Sequence, residues 1–179
     1  MLSLPKRCLV LCLLIFCTLG DASAKQRAID FQPTADEREA GSVILEKQRH
    51  LRVVGSDQLE ETDRVLIAVL DEQAASDYRQ ISIHYNAFYE RVELLYARTI
   101  TPSGERLDLS SDAVQDKSIS QGPVYDELKA LTFSLPAVKP GSYIEYGYRM
   151  ESTKPVVEGY WFRSMGVLHY QLHYHSIEV

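Results

Sequence analysis

The sequence predicts a mostly β, antiparallel, β-sandwich-like domain with at most one or two short helices. Three observations lead there. Seven or eight short runs alternate polar and apolar residues between turns rich in Gly, Pro and Asp. No stretch keeps a helical period for more than about two turns. All 11 tyrosines fall after residue 24, where they suit half-buried pleated surfaces.

The N-terminus reads as an export signal. Lys6 and Arg7 give a charged start, and Cys8 to Leu19 form a twelve-residue apolar run. Gly20 and Asp21 break that run, and Ala22-Ser23-Ala24 supplies the small-x-small pattern of a cleavage site between Ala24 and Lys25. The run is shorter than the roughly 20 residues that cross a bilayer, so no stable membrane anchor is expected. All three cysteines, Cys8, Cys12 and Cys17, lie inside it. A mature chain starting at Lys25 has none, which excludes a thiol nucleophile, a thiolate metal site and a disulfide. Cys17 follows Phe16 rather than a small residue, against lipidation. An uncleaved anchor is the alternative to export with cleavage.

Removing residues 1–24 leaves 155 of 179 residues, enough for one domain with its own core. Net charge moves from −6 to −7, because Lys6, Arg7 and Asp21 leave with the signal. A negative chain without a basic block argues against nucleic acid and anionic lipid as partners. The expected organisation is a signal peptide over 1–24, a polar lead-in over 25–42, and a β-sandwich-like domain over 43–179.

Within the lead-in, Thr34-Ala35-Asp36-Glu37 has capping-box spacing and Gly41 is placed to end a short helix. From Val43 the period is two. Val43, Leu45, Lys47, Arg49, Leu51 and Val53 alternate with Ile44, Glu46, Gln48, His50, Arg52 and Val54. Gly55-Ser56-Asp57 then turns into a second strand, Leu59 to Leu70, making an antiparallel hairpin. Asp71 to Arg79 reads as a short helix or loop on the rim, without an apolar stripe. Ile81 to Tyr85 and Arg91 to Ile100 are strands, and Thr101-Pro102-Ser103-Gly104 is a tight turn before the return strand Glu105 to Leu109. Ser110 to Val124 reads as loop. Tyr125 to Leu135 and Ser142 to Glu151 are strands, the latter with Ile144, Tyr146, Tyr148 and Met150 on one face. His169 to Val179 is a last, imperfectly alternating strand. Its end within a strand leads to the expectation of a truncated domain with an unpaired edge.

Candidate sites are few. No Gly-x-Ser-x-Gly elbow surrounds Ser164 or any other serine. No His-Glu-x-x-His is present. His169, His173 and His175 share one face of a strand, and His173 with His175 has the spacing to share a metal, but no carboxylate is placed as a third ligand. Solvated edge histidines account for them better, so no metal and no cofactor are expected. The acid pairs Glu60-Glu61, Asp71-Glu72 and Asp126-Glu127 are sequence neighbours that a strand points to opposite faces, a poor geometry for a cooperating acid and base. Tyr160-Trp161-Phe162 follows a Pro/Gly loop and is the candidate ligand contact, where an exposed tryptophan would stack on a sugar or a peptide. The competing account is that Trp161 plugs one end of the sandwich.

A series of blocks carries a resemblance. They are Ile81-Ser82-Ile83-x-Tyr85, Arg91-Val92-Glu93, Ala97-Arg98-Thr99-Ile100-x-Pro102-x-Gly104, Tyr125-Asp126-Glu127, Phe133-x-Leu135-Pro136 and Gly141-Ser142-x-Ile144-Glu145-Tyr146. Together they resemble domain of unknown function 3857, an exported bacterial domain found N-terminal to a transglutaminase-like domain. The resemblance implies a non-catalytic accessory or interaction domain, periplasmic or at the cell surface, with a transglutaminase-like partner encoded downstream or separately. That partner uses Cys, His and Asp, and this chain has no mature cysteine to offer. A stand-alone glycan- or peptide-binding module and a hydrolase with an unrecognised site are the alternatives.

Overall fold

The computed structural model describes residues 31–55, 58–119, 127–155 and 172–178. Thr34 caps the first helix, α1 (Ala35–Ala40): its hydroxyl accepts from the Glu37 N–H, and Glu37 accepts in return from the Thr34 N–H at 2.7 Å. Gly41 ends the helix at φ 74°, a left-handed conformation that glycine adopts without strain. Strands β1 (Ser42–Gly55) and β2 (Gln58–Val69) then form the expected antiparallel hairpin.

That hairpin departs from simple alternation at two places, one of them between Val53 and Gly55 beside the turn. The register also shifts between Ile44 and Glu46, a bulge that reverses the phase of β1. Val43 therefore pairs with Ala68 on the outer face, whereas Lys47, Arg49 and Leu51 pair with Val65, Asp63 and Glu61 on the inner face. Val43 and Lys47 share a phase in the sequence but not a side in the sheet.

Asp71 accepts from the Ala74 N–H at 2.7 Å and starts α2 (Glu72–Asp77). This helix is not confined to the rim, because Ala74 and Ala75 enter the main core. Two small side chains make an apolar contact too slight to read as a stripe. Then follow β3 (Gln80–Asn86), β4 (Glu90–Ile100) and β5 (Arg106–Asp108), with Gly104 at φ 83° in the turn between the last two.

The stretch read as loop after Ser110 contains a 3-10 turn (Ser111–Ala113) and a strand, β6 (Val114–Ser118). Its Val-Gln-Asp-Lys-Ser sequence is polar because β6 is an edge strand, held by backbone pairing with β7 rather than by burial. β7 (Leu128–Ser134), β8 (Tyr143–Ser152) and β9 (His175–Glu178) follow among the described residues.

The strands form two sheets. One has the order β5-β4-β8-β2-β1-β9, the other β3-β7-β6. Among the described strands every pairing is antiparallel except β1 with β9. The core lies between the sheets: Ile44, Val65, Ile67, Ala97 and Ile144 from the large sheet meet Ile83, Leu131 and Phe133 from the small one. The Phe133 ring meets Tyr146 edge-on, centroids 5.7 Å apart. No helix among the described residues is long and apolar enough to cross a membrane.

Candidate functional site

Beyond Val65 and Tyr146 the inner face of the large sheet changes character. Strand β2 carries Glu61 and Asp63, two residues apart and therefore on one side. In register with them are Arg49 on β1 and Tyr148 and Met150 on β8. Asp63 and Glu61 are 0% and 5% exposed.

Arg49 grips Asp63 with both arms of its fork, Nε donating to Oδ1 at 2.8 Å and Nη2 to Oδ2 at 2.7 Å. Nη2 also lies 3.0 Å from Glu61 Oε1. The Tyr148 hydroxyl donates to Asp63 Oδ2 at 2.8 Å. Lys47, in register with Val65, lies on the same face one step along β1. Two cations thus face two carboxylates.

The electrostatics follow from this packing. The hydrogen bond to Asp63 holds the Arg49 guanidinium more firmly protonated than usual. Burial, then the charge of Asp63, pushes the Tyr148 phenol well above the ordinary tyrosine range. Tyr146 is raised too, by burial first and then by Tyr78 and Asp63. Burial lowers the Lys47 ammonium, Asp63 and Glu61 oppose that, and Arg49 reinforces it. A phenol that keeps its proton and a carboxylate that accepts three internal hydrogen bonds form a saturated ion cluster.

The outer face carries cross-strand ion pairs. Arg98 binds Glu145 bidentately at 2.8 and 3.0 Å and stacks on the Tyr96 ring at 4.9 Å. Arg52 pairs with Glu60 at 2.9 Å, and Arg149 with Glu93 at 2.5 Å. These are ladders of opposite charge along the sheet.

The residues singled out from sequence fall as follows. Tyr160, Trp161, Phe162, Ser164, His169, Ala24, Lys25 and Asp126 lie outside the described residues. His173 is bound to Glu37 of α1, while His175 sits opposite Lys47 in the β1–β9 register. Among the described residues no group of three or more potential ligands is placed to hold a metal. Glu60 and Glu61 do point to opposite faces, one to Arg52 and the other to Arg49. Asp71 is a helix cap. Sequence reasoning missed the Arg49–Asp63–Glu61–Tyr148 cluster. Its signal was present: Glu61 and Asp63 occupy the phase of β2 that otherwise holds Leu59, Val65 and Ile67.

Fold and cluster define an antiparallel β-sandwich-like domain whose buried charges neutralise one another. The chain belongs to the domain-of-unknown-function family DUF3857, a family with a solved structure, whose model matches residues 56–178. No curated protein matches the sequence. Among solved structures, the chain is similar to one described as "a putative protease" from Parabacteroides distasonis, with TM-score 0.59 and 14% identity, over 65% of this chain and 24% of that one. It therefore spans about a quarter of that protein's length. Weaker likenesses are to the CBM3a-L domain of a cellulosome scaffoldin from Clostridium thermocellum (TM-score 0.37, 11% identity, 72% of this chain and 79% of that one). A further one is to an M1 zinc metallopeptidase from Deinococcus radiodurans (TM-score 0.32, 15% identity, 63% and 21%).

Proposed function

We propose that this chain is a non-catalytic, exported accessory or interaction domain that works beside a transglutaminase-like catalytic domain in the bacterial periplasm or at the cell surface. The observation that carries the reading is the internally paired cluster: Asp63, fully buried, is bound by Arg49 and Tyr148 rather than aimed at a ligand. The sequence adds support, since no cysteine follows Cys17 and Cys-His-Asp chemistry needs one from elsewhere. In the Parabacteroides distasonis protein a domain of this fold occupies only 24% of the chain, as an accessory unit would.

The purified chain should release no product from peptide, ester or glycoside substrates above the buffer rate. Turnover that disappears in an Asp63→Asn variant would sink the proposal. The coding sequence flanking this chain gives a second test: a transglutaminase-like frame with Cys, His and Asp, whose product co-purifies with this domain, is the expected partner.

A further inference from the structure

Among the described strands, β9 is attached to the sheet unlike any other. It runs parallel to β1 over four residue pairs, from Lys47 with His175 to His50 with Glu178. A bridge between Ile44 and Leu172 extends the contact. The His173 N–H donates to the Ile44 carbonyl at 3.0 Å, and the Lys47 N–H to the Tyr174 carbonyl at 2.9 Å. Apolar burial is slight: Leu172 packs on the core, while Tyr174 and Ile177 are 41% and 36% exposed. One side-chain anchor is His173, whose Nε2 is bound to Glu37 Oε1. The same Glu37 closes the capping box of α1. A helix of six residues does not persist on its own, so α1 and β9 support each other as a clasp.

Three features bear on what else fits this edge. The contacts are mostly backbone, so a second strand of identical sequence makes them equally well. The β1 edge carries Lys47, Arg49 and His50, and β9 brings Glu178 in register with the last of these. Between Ser152 and Leu172 lie 19 residues, which reach about 60 Å when extended. In the sheet β9 docks past β2 and β1, three places from β8. A connection of that length reaches the same edge on a neighbouring molecule.

We infer that the β1 edge from Ile44 to His50 is an exchangeable strand-docking site, filled within one chain by its own β9 and open to the β9 of a second copy. Exchange trades each contact for its equivalent between chains, so dimerisation needs no new surface and responds to concentration. The Glu37–His173 clasp is the barrier to it. This inference is independent of the accessory role.

Paired cysteines test it in the full chain, in a background with Cys8, Cys12 and Cys17 changed to Ser. Gln48 and Ser176 are direct partners in the parallel register. Co-expressed Gln48→Cys and Ser176→Cys chains should form a covalent heterodimer. Edge-to-edge addition onto β9 would not, because β9 itself would then separate the two positions. The double variant on one chain should close internally, stay monomeric by light scattering when oxidised, and regain concentration-dependent dimer when reduced. Glu37→Gln should raise the rate of exchange several-fold while leaving the equilibrium dimer fraction unchanged. Absence of the heterodimer while the double variant closes internally overturns the inference, as does equal dimerisation of the locked chain.

Discussion

Replacing Arg49 by Met removes the cation from the inner-face cluster and leaves its carboxylates in place. Arg49 makes two hydrogen bonds to Asp63, at 2.8 and 2.7 Å, and contacts Glu61 at 3.0 Å. The Asp63 and Glu61 side chains are nearly closed to water, so each charge left behind stays desolvated. Breaking a buried pair by deleting one partner costs about 3–5 kcal/mol. Lys47 on the same face supplies one remaining cation, which places the expectation at the lower end, about 3 kcal/mol. In urea unfolding followed by circular dichroism, that loss lowers the midpoint by about 1–2 M at an unchanged slope. Acid should narrow the gap to wild type, because protonating a carboxylate removes the uncompensated charge. The triple variant Arg49→Met/Asp63→Leu/Tyr148→Phe, which removes one charge of each sign and the hydroxyl that served them, should regain most of the stability. A loss below about 1 kcal/mol for Arg49→Met, the size seen for solvated surface pairs, would refute the reasoning.

Gly147→Ala should cost about 1–2 kcal/mol in the same assay, because a Cβ there would sit 2.7 Å from the Tyr96 ring that stacks under Arg98. Adding Tyr96→Ala should make the two effects non-additive. The Glu37 carboxyl is held below its ordinary 4.5 by the hydrogen bond with His173 first and the Thr34 N–H next. A depressed folded value gives stabilisation that is full above 4.5 and fades as the pH falls through the folded value. Glu37→Gln should therefore flatten the acid limb of stability below that point, and an unchanged limb would count against the clasp. Burial, then Asp116, pushes the Tyr85 phenol up to about 12, with burial also raising Tyr146 and Tyr148. Raised phenols stabilise fully below the unfolded tyrosine value near 10 and lose that contribution as pH rises. Tyr148→Phe should reduce this alkaline loss in an absorbance titration. Trp161 is the single tryptophan; its fluorescence should not respond to soluble glycans or peptides, and a saturable shift would favour a binding module instead.

Period-two alternation made β1, β2, β3, β4, β7 and β8 readable, because each places apolar residues toward the space between the sheets. What it could not convey is partnership. β3 and β4 follow one another in the chain but enter different sheets, since β3 pairs with β7 while β4 pairs with β8. One edge strand, β6, escaped for a related reason. β6 shows five residues with almost no apolar signal, because an edge position needs backbone pairing more than burial. The bulge at Ile44–Glu46 was equally silent: one unpaired residue changes every later facing without changing the sequence pattern.

The ion cluster shows how a site can be encoded and still overlooked. Glu60-Glu61 looks like a pair of surface acids, and as neighbours on a strand they do part company. The informative spacing was i,i+2, Glu61 with Asp63, because it places two carboxylates in the phase that Leu59, Val65 and Ile67 mark as inward. Charges in an inward phase require a counter-charge from an adjacent strand. Tracing the hairpin register back from Val53 opposite Leu59 leads to Arg49 opposite Asp63, because both register shifts lie outside that stretch, between Val53 and Gly55 and between Ile44 and Glu46. Tyr148 is placed by the third strand, whose neighbour in the sheet the sequence does not specify. The cluster therefore depends on sheet order as well as composition. Because β1 is at once the cluster's source of Arg49 and the strand on which β9 docks, exchange of β9 occurs beside the buried charges. Arg49→Met should then loosen the β1 edge and raise the rate of exchange along with the loss of stability.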